Sequence, residues 1–333
     1  MPMKILVIST ECYGLVSGFV DEMRSQGHEV VYLDNDDVGR FEYLSARQRA
    51  WNFFSRLLLR KNLKKEYRRW SISRFLAGFS VGRSFDITIL NYPDIFDQEH
   101  LQVLKDISAK LVCHLWDSAD KMPGNLKHID MFDVVLSFDH EDVAKYDFLP
   151  VTNYLDSAIK PLERSRQLAG DVFGIFSYDK YRYRLLCDFL DWNPDLKCRF
   201  IVYIHHPRRR KYVTDSRIEI ITSPIFGDKL TNISNKYPVI LDLSHPNQRG
   251  LSFRFFESTG RQQKLITTNK NVLSSDIYNK NNVFVLDEAK PAVPCDFFGS
   301  AYTALPDEIV APFRLANWVD DVLSKISQGV SRS

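Results

Sequence analysis

The sequence predicts an α/β protein made of two doubly wound, parallel-sheet domains in succession. Three observations carry that prediction. Short β-branched apolar runs alternate with segments of helical periodicity from residue 4 to residue 138, and the alternation restarts at residue 171. Between the two runs, residues 153–170 hold no long apolar stretch and include Pro161 and a charged patch, which marks a domain boundary. Finally, no GxGxxG follows the first strand, where Gly14 and Gly18 stand without a third glycine, so no dinucleotide cofactor is expected.

The first domain is expected over residues 1–158, with strands at 4–9, 29–33, 86–90, 109–115 and 134–138. An amphipathic helix over 18–26 ends at Gly27. Polar residues follow each strand: Glu11 after the first, Asp34-Asn35-Asp36-Asp37 after the second and Asn91 after the third. Asp117 follows the fourth, and Asp139-His140 the fifth. In a parallel sheet these ends share one rim, where open α/β sheets take ligands. The acidic run 34–37 reads as a solvated turn, with a divalent-metal site as the alternative.

An insertion over residues 40–79 differs in character. It mixes Trp51, Phe53, Phe54, Leu57, Leu58 and Trp70 with Arg56, Arg60, Lys61, Lys64, Lys65, Arg68 and Arg69. Helical spacing gives it one apolar and one cationic face, the pattern of a helix lying on an anionic membrane surface. The alternative is a helical hairpin whose aromatics pack on the sheet.

The second domain is expected over 166–305, with strands at 171–177, 199–204, 218–221, 239–243, 264–268 and 283–286. Residues 238–270 read as strand, polar loop, a helix opened by Gly250 and ending near Gly260, then strand. The free amides at that helix start, around residues 251–254, make an anion site, and Arg249 and Arg254 add positive charge. The basic run 208–211 reads as a solvated loop. Residues from 306 to the end read as a terminal helix containing Trp318.

The chain has 333 residues and a net charge of +2, so overall charge does not call for a nucleic-acid partner. Five scattered cysteines with no CxxC indicate neither a disulfide framework nor a zinc knuckle. No window is long and apolar enough for a membrane span, and the opening apolar run is too short for a signal peptide. A cytoplasmic protein, peripheral on the membrane at most, is expected. Hydrolase, NTPase and zincin motifs are absent.

The segment GLSFRFFESTGRQQKLITTN, followed by YNKNNVFVLD, resembles the donor-site segment of bacterial glycosyltransferases of capsule and lipopolysaccharide synthesis. The resemblance is specific over residues 242–287, loose over 172–240 and only architectural before that. It implies the GT-B fold, two Rossmann-like domains facing a cleft, with residues 306–333 crossing back to the first domain. It also implies a nucleotide-sugar donor and a glycan or lipid-linked glycan acceptor. Gly250, Leu251 and Ser252 would face the nucleotide diphosphate, and Glu257 would hydrogen-bond the ribose. Lys180 stands where related proteins carry a phosphate-binding Lys or Arg. Many retaining members place a second Glu eight positions before the ribose Glu, where this sequence has Arg249.

A leaving diphosphate needs cations and helix amides, here Lys180, Arg182, Arg249 and Arg254 with the backbone at 250–252, so no metal cofactor is expected. An inverting transfer also needs a base on the first domain's rim. Asp117 and Glu11 are the favoured candidates. A module of the same fold that binds sugar nucleotide or glycan without turnover is the alternative.

Overall fold

The computed structural model describes residues 1–11, 14–39, 41–58, 61–79, 84–156, 158–163 and 167–329. Arg60 lies outside the described residues, as do the side chains of Leu57 and Leu58. The chain divides into two compact units, Met1–Val151 with Val319–Ser333, and Thr152–Trp318.

The first unit begins with β1 (Lys4–Ser9), α1 (Leu15–Ser25), β2 (Glu29–Asp34) and α2 (Asn35–Gly39). Two helices, α3 (Ala46–Leu58) and α4 (Leu63–Leu76), precede β3 (Phe85–Leu90) and α5 (Gln98–Ile107). Then come β4 (Ser108–Leu115), β5 (Val134–Ser137), α6 (His140–Tyr146) and the two-residue β6 (Leu149–Pro150). The strands pair in the order β2-β1-β3-β4-β5-β6, all parallel, so the order reverses between β1 and β3. Such a sheet is covered on both faces, which is why residues 5–8 are apolar without alternation and wholly buried. Leu6, Ile8, Leu90 and Leu111 share one core with Leu101 and Leu104 of α5 and Ile72 and Leu76 of α4.

Two local readings change. The first helix starts at Leu15 rather than residue 18, because Gly14 at φ +91° supplies the left-handed entry. The acidic run is not a solvated turn. Asp34 ends β2 and Asn35 opens α2, so Asp36 and Asp37 complement the positive end of a short helix.

The second unit holds β7 (Val172–Ser177), α7 (Lys180–Trp192), β8 (Cys198–Tyr203), β9 (Ile218–Ile221), α8 (Gly227–Ser234) and β10 (Val239–Asp242). These are followed by α9 (Phe253–Arg261), β11 (Lys264–Thr267), β12 (Val283–Val285), α10 (Cys295–Gly299) and α11 (Asp307–Val310). The order β12-β11-β10-β7-β8-β9 is again all parallel and reverses between β7 and β10. Side chains alternate strictly between faces. Val172, Phe176, Val239 and Leu241 pack with Leu185, Leu186 and Phe189 of α7. Phe173, Ile240 and Leu265 pack with Phe255 and Phe256 of α9. The two helices therefore cover opposite faces, and their N-termini flank the β7/β10 reversal.

The expected single terminal helix is broken. A 3-10 turn at Ala311–Phe313 separates α11 from α12 (Leu315–Gln328), since Pro312 has no amide to continue a helical ladder. Trp318 is buried, donates its indole N–H to the Thr152 carbonyl at 2.8 Å and lies 4.7 Å from the Tyr154 ring. In the first unit the Lys110 ammonium caps the end of α12 on the carbonyls of Ile326, Ser327 and Gly329.

Candidate functional site

Asp242, the last residue of β10, is buried and organises the β7/β10 crevice. Its carboxylate accepts from Ser252 Oγ at 2.8 Å, Thr267 Oγ1 at 3.3 Å and Arg254 Nη1 at 3.4 Å. The same Arg254 donates through Nη2 to the Ile175 carbonyl of β7 at 2.5 Å and lies 5.3 Å from the Phe176 ring centroid. Arg254 thus ties β7 to β10 across the reversal. Two of its five N–H donors are committed to the protein.

The loop before α9 is shaped by amide side chains from elsewhere in the chain. Asn269 Nδ2 donates to the carbonyls of Arg249 (3.2 Å) and Gly250 (3.0 Å). Asn271 Nδ2 also donates to Arg249 O (2.9 Å), and Asn153 Nδ2 to Leu251 O (2.7 Å). In a trans peptide the carbonyl of one residue and the N–H of the next point opposite ways. Fixing three successive carbonyls therefore turns the amides of Gly250, Leu251 and Ser252 away from those asparagines. These three amides have no hydrogen-bond partner among the described residues. For the same reason residues 250–252 are not helical, and α9 opens at Phe253, three residues later than the sequence suggested. Ser252 sits at its N-cap without capping it, the hydroxyl being turned to Asp242. Three unpartnered amides beside an uncapped helix start form a cradle for an anion.

At α7 the situation is reversed. Asp179 caps the helix by accepting from the amides of Tyr181 (3.0 Å) and Arg182 (3.1 Å). Lys180, at the first helical position, is exposed. Arg182 is partly buried, and its Nε is enclosed with no hydrogen-bond partner among the described residues. Burial lowers its pKa, and the nearby Arg254 charge lowers it further, against the pull of Asp179 and Asp242. Two guanidiniums close enough to repel, one with an orphaned donor, share the crevice with the carboxylates of Asp179 and Asp242.

Glu257 lies one turn into α9. Its carboxylate makes no hydrogen bond or ion pair among the described residues. Desolvation raises its pKa, opposed by Arg261 and Arg254. Arg261 gives its own donors to Ser234, Asn235 and Thr231. Arg249 is partly buried beside the loop.

No family model matches the chain, and no curated protein matches it in sequence. Solved structures do match in fold. AviGT4, a glycosyltransferase involved in avilamycin A biosynthesis, superposes with a TM-score of 0.62 at 10% identity, covering 98% of both chains. The catalytic domain of starch synthase IV from Arabidopsis thaliana, bound to ADP and acarbose, gives 0.57 at 11% identity over 100% of both. A Listeria monocytogenes protein described as a UDP-N-acetylglucosamine 2-epimerase gives 0.53 at 9% identity, over 100% of this chain and 98% of that one. The chain has the GT-B fold. At these identities the likeness speaks for the fold alone.

The other GT-B unit carries the two candidate bases, and each has a structural task. Glu11 caps α1, accepting from the amides of Gly14 (2.8 Å) and Ser17 (2.9 Å) with its two oxygens. Asp117 is paired with Lys121 at 2.6 Å, four residues on. The loop holding Asp117 is pinned by buried carboxylates: Asp139 accepts from Ser118 Oγ, and Asp142 from the Ala119 amide at 2.8 Å. His114 is fully desolvated, so its pKa falls to about 3, and its Nδ1 accepts from Trp116 Nε1 at 3.0 Å. Asn91 is buried just past β3, its amide nitrogen bonded to Ile8 O at the β1/β3 reversal. Neither side-chain atom of Asn91 has a partner among the described residues.

The sequence reading missed the roles of Asp242, Asn269, Asn271 and Asn153. A signal existed for two of them, a polar residue ending a buried apolar run in VILD and in KLITTN. The reach of Asn153, 98 residues away, has no local signature. Among the described residues no group of three or more His, Cys, Asp and Glu is placed to hold a metal ion, and no helix is long and apolar enough to cross a membrane.

Proposed function

We propose that this chain is a glycosyltransferase that moves a hexosyl group from a nucleotide-sugar donor to a surface-glycan acceptor of the capsule or lipopolysaccharide kind. The observation that carries the reading is the anion cradle at the β7/β10 reversal. Three unpartnered amides at 250–252, the uncapped start of α9 and the Arg182–Arg254 pair converge there. A nucleotide-sugar transferase must stabilise the charge that grows on its departing diphosphate, and aligned amides and guanidiniums supply that stabilisation. In this reading the amides of Gly250, Leu251 and Ser252 and the guanidinium of Arg182 hold the diphosphate, with Lys180 and Arg249 at its margin. Arg254 adds its charge beside it. The Glu257 carboxylate, desolvated and unpartnered, accepts from the ribose hydroxyls. These cations take the role a divalent ion would have, so the transfer is metal-independent.

Deprotonation of the acceptor hydroxyl falls to Asp117 or Glu11 on the first unit. Because both carboxylates also serve the local fold, a second reading stands beside the first: a GT-B protein that binds sugar nucleotide or glycan without turnover. Incubating the protein with a panel of nucleotide sugars separates the two. Slow hydrolysis releasing nucleoside diphosphate, absent in Asp117→Asn or Glu11→Gln, supports transfer. Tight binding with no hydrolysis of any donor, and no transfer in extracts rich in surface glycan, supports the binding protein.

A further inference from the structure

The hairpin of α3 and α4 is built inside out. Among the described side chains of α3 the buried ones are polar: Asn52 is 3% exposed and Ser55 5%. Asn52 accounts for this by bonding Tyr43 Oη (2.6 Å) and the Leu63 amide (2.8 Å), which locks α3 to the start of α4. The aromatic side chains face out instead, Trp51 at 61%, Phe53 at 64% and Phe54 at 53%. Trp70 on α4 is 54% exposed. A soluble helix turns such residues inward, and the same α4 does so in its second half with Ile72 and Leu76. The outward aromatics therefore need a covering.

Charge says what covers them. Residues 46–79 carry ten Lys and Arg against one acidic residue, Glu66, while the rest of the chain carries 34 basic against 41 acidic. Lys61, Lys65 and Arg68 are exposed and make no ion pair among the described residues. Lys61 and Lys65, with Arg69, face the carboxylates of Glu66, Asp97 and Glu99 around a cavity of about 630 Å³ between α4 and the start of α5. A second copy of this chain would set ten cations against ten, which argues against self-association through this face. Exposed Trp and Phe among Lys and Arg match the headgroup level of an anionic bilayer, where rings enter the interface and cations meet lipid phosphates. No helix among the described residues is long and apolar enough to cross. We propose that the α3–α4 hairpin docks this protein onto anionic phospholipid, with Trp51, Phe53, Phe54 and Trp70 inserted at the interface and Lys61, Lys65 and Arg68 on the headgroups. The excess of acid elsewhere in the chain would be repelled by the same surface and so fix the orientation. This goes beyond the transfer reading and does not rest on it.

The test is co-sedimentation of the full chain with vesicles of equal parts phosphatidylglycerol and phosphatidylcholine, against phosphatidylcholine alone. Wild type is expected to sediment with the anionic vesicles at low salt and to be released as salt rises. Each basic residue near such a surface is worth roughly five-fold in affinity. Lys61→Glu/Lys65→Glu/Arg68→Glu should therefore lower binding by at least about a hundredfold, the loss of three cations alone, with the added carboxylates repelled besides. Trp51→Ala/Phe53→Ala/Phe54→Ala should bind weakly even at low salt. All six positions are exposed, so both variants should keep the wild-type Tm and nucleotide affinity. As a second readout, lipid-borne bromine should quench wild-type tryptophan fluorescence more than that of Trp51→Phe/Trp70→Phe. No sedimentation of wild type at low salt, or equal binding to neutral vesicles, overturns the proposal. So does an aromatic variant that binds like wild type. A wild type that self-associates without lipid, and is monomeric once the three aromatics are removed, would assign the face to a second copy instead.

Discussion

Ser252 donates its hydroxyl to Asp242 at 2.8 Å, ten residues back along the chain, rather than capping the helix it precedes. The bond fixes the entry of α9 and leaves its N-terminus open. If backbone amides rather than this hydroxyl hold the phosphates, Ser252→Ala should cost about 1 kcal/mol of stability, the usual worth of one hydrogen bond, with nucleotide affinity nearly unchanged. Asp242→Ala should cost more, about 3 kcal/mol, because it strands Arg254 and two hydroxyls in a buried place. Paired denaturant titrations and nucleotide calorimetry check both. A large affinity loss in Ser252→Ala would place the hydroxyl on the ligand instead.

Glu257 is expected to trade stability for binding. Burial raises its pKa in the folded state, so the folded protein holds its proton more tightly than the unfolded chain does. Stability from this group is thus highest below the ordinary carboxylate range and falls as pH rises through the raised value. Glu257→Gln removes that penalty and should raise Tm at neutral pH, with the gain vanishing in acid. Nucleotide affinity should fall by about 1–3 kcal/mol through loss of charged hydrogen bonds to the ribose. Thermal melts across pH and calorimetry on both proteins read the two effects. A variant that melts lower than wild type at neutral pH, with unaltered affinity, would remove Glu257 from the site.

For His114 the sign is opposite. Burial lowers its pKa to about 3, so the unfolded chain takes up its proton first as pH falls. The stability this neutral imidazole contributes is complete above the unfolded value near 6.5 and is lost between there and about 3. His114→Gln should flatten that acid loss. The imidazole should stay neutral by NMR at any pH where the protein is active, which would leave the pH–rate profile to other groups. An NMR titration near pH 6.5 would contradict the burial argument.

The cations of the crevice are expected to stand in for a metal. Nucleotide binding, and donor hydrolysis where present, should persist in excess chelator. Loss in chelator, restored by manganese or magnesium, would overturn metal independence.

Much of the fold was legible because parallel strands are near-continuous apolar runs. The strands Lys4–Ser9 and Ile218–Ile221 fall where β-branched residues cluster. The two-residue strand Leu149–Pro150 is too short to leave a pattern. At the site, local sequence placed the cradle near Gly250 but opened the helix there. The true opening at Phe253 is set by Asn153, Asn269 and Asn271, donors 19 to 98 residues distant, which a local reading does not reach. Likewise periodicity left the aromatics of α3 open between a membrane face and a hairpin packed on the sheet. Among the described side chains the polar Asn52 and Ser55 are the buried ones, held there by the bonds of Asn52 to residues 43 and 63.

The central claim is that the β7/β10 crevice holds a nucleoside diphosphate. Calorimetric titration of wild type and Arg182→Met with UDP, ADP, GDP and the matching nucleosides tests it most directly. At least one diphosphate should bind, its nucleoside should bind far more weakly, and Arg182→Met should lose about tenfold or more, as expected for removing a charged hydrogen bond. If no diphosphate binds, or if Arg182→Met binds it as tightly as wild type, the crevice is not a diphosphate site.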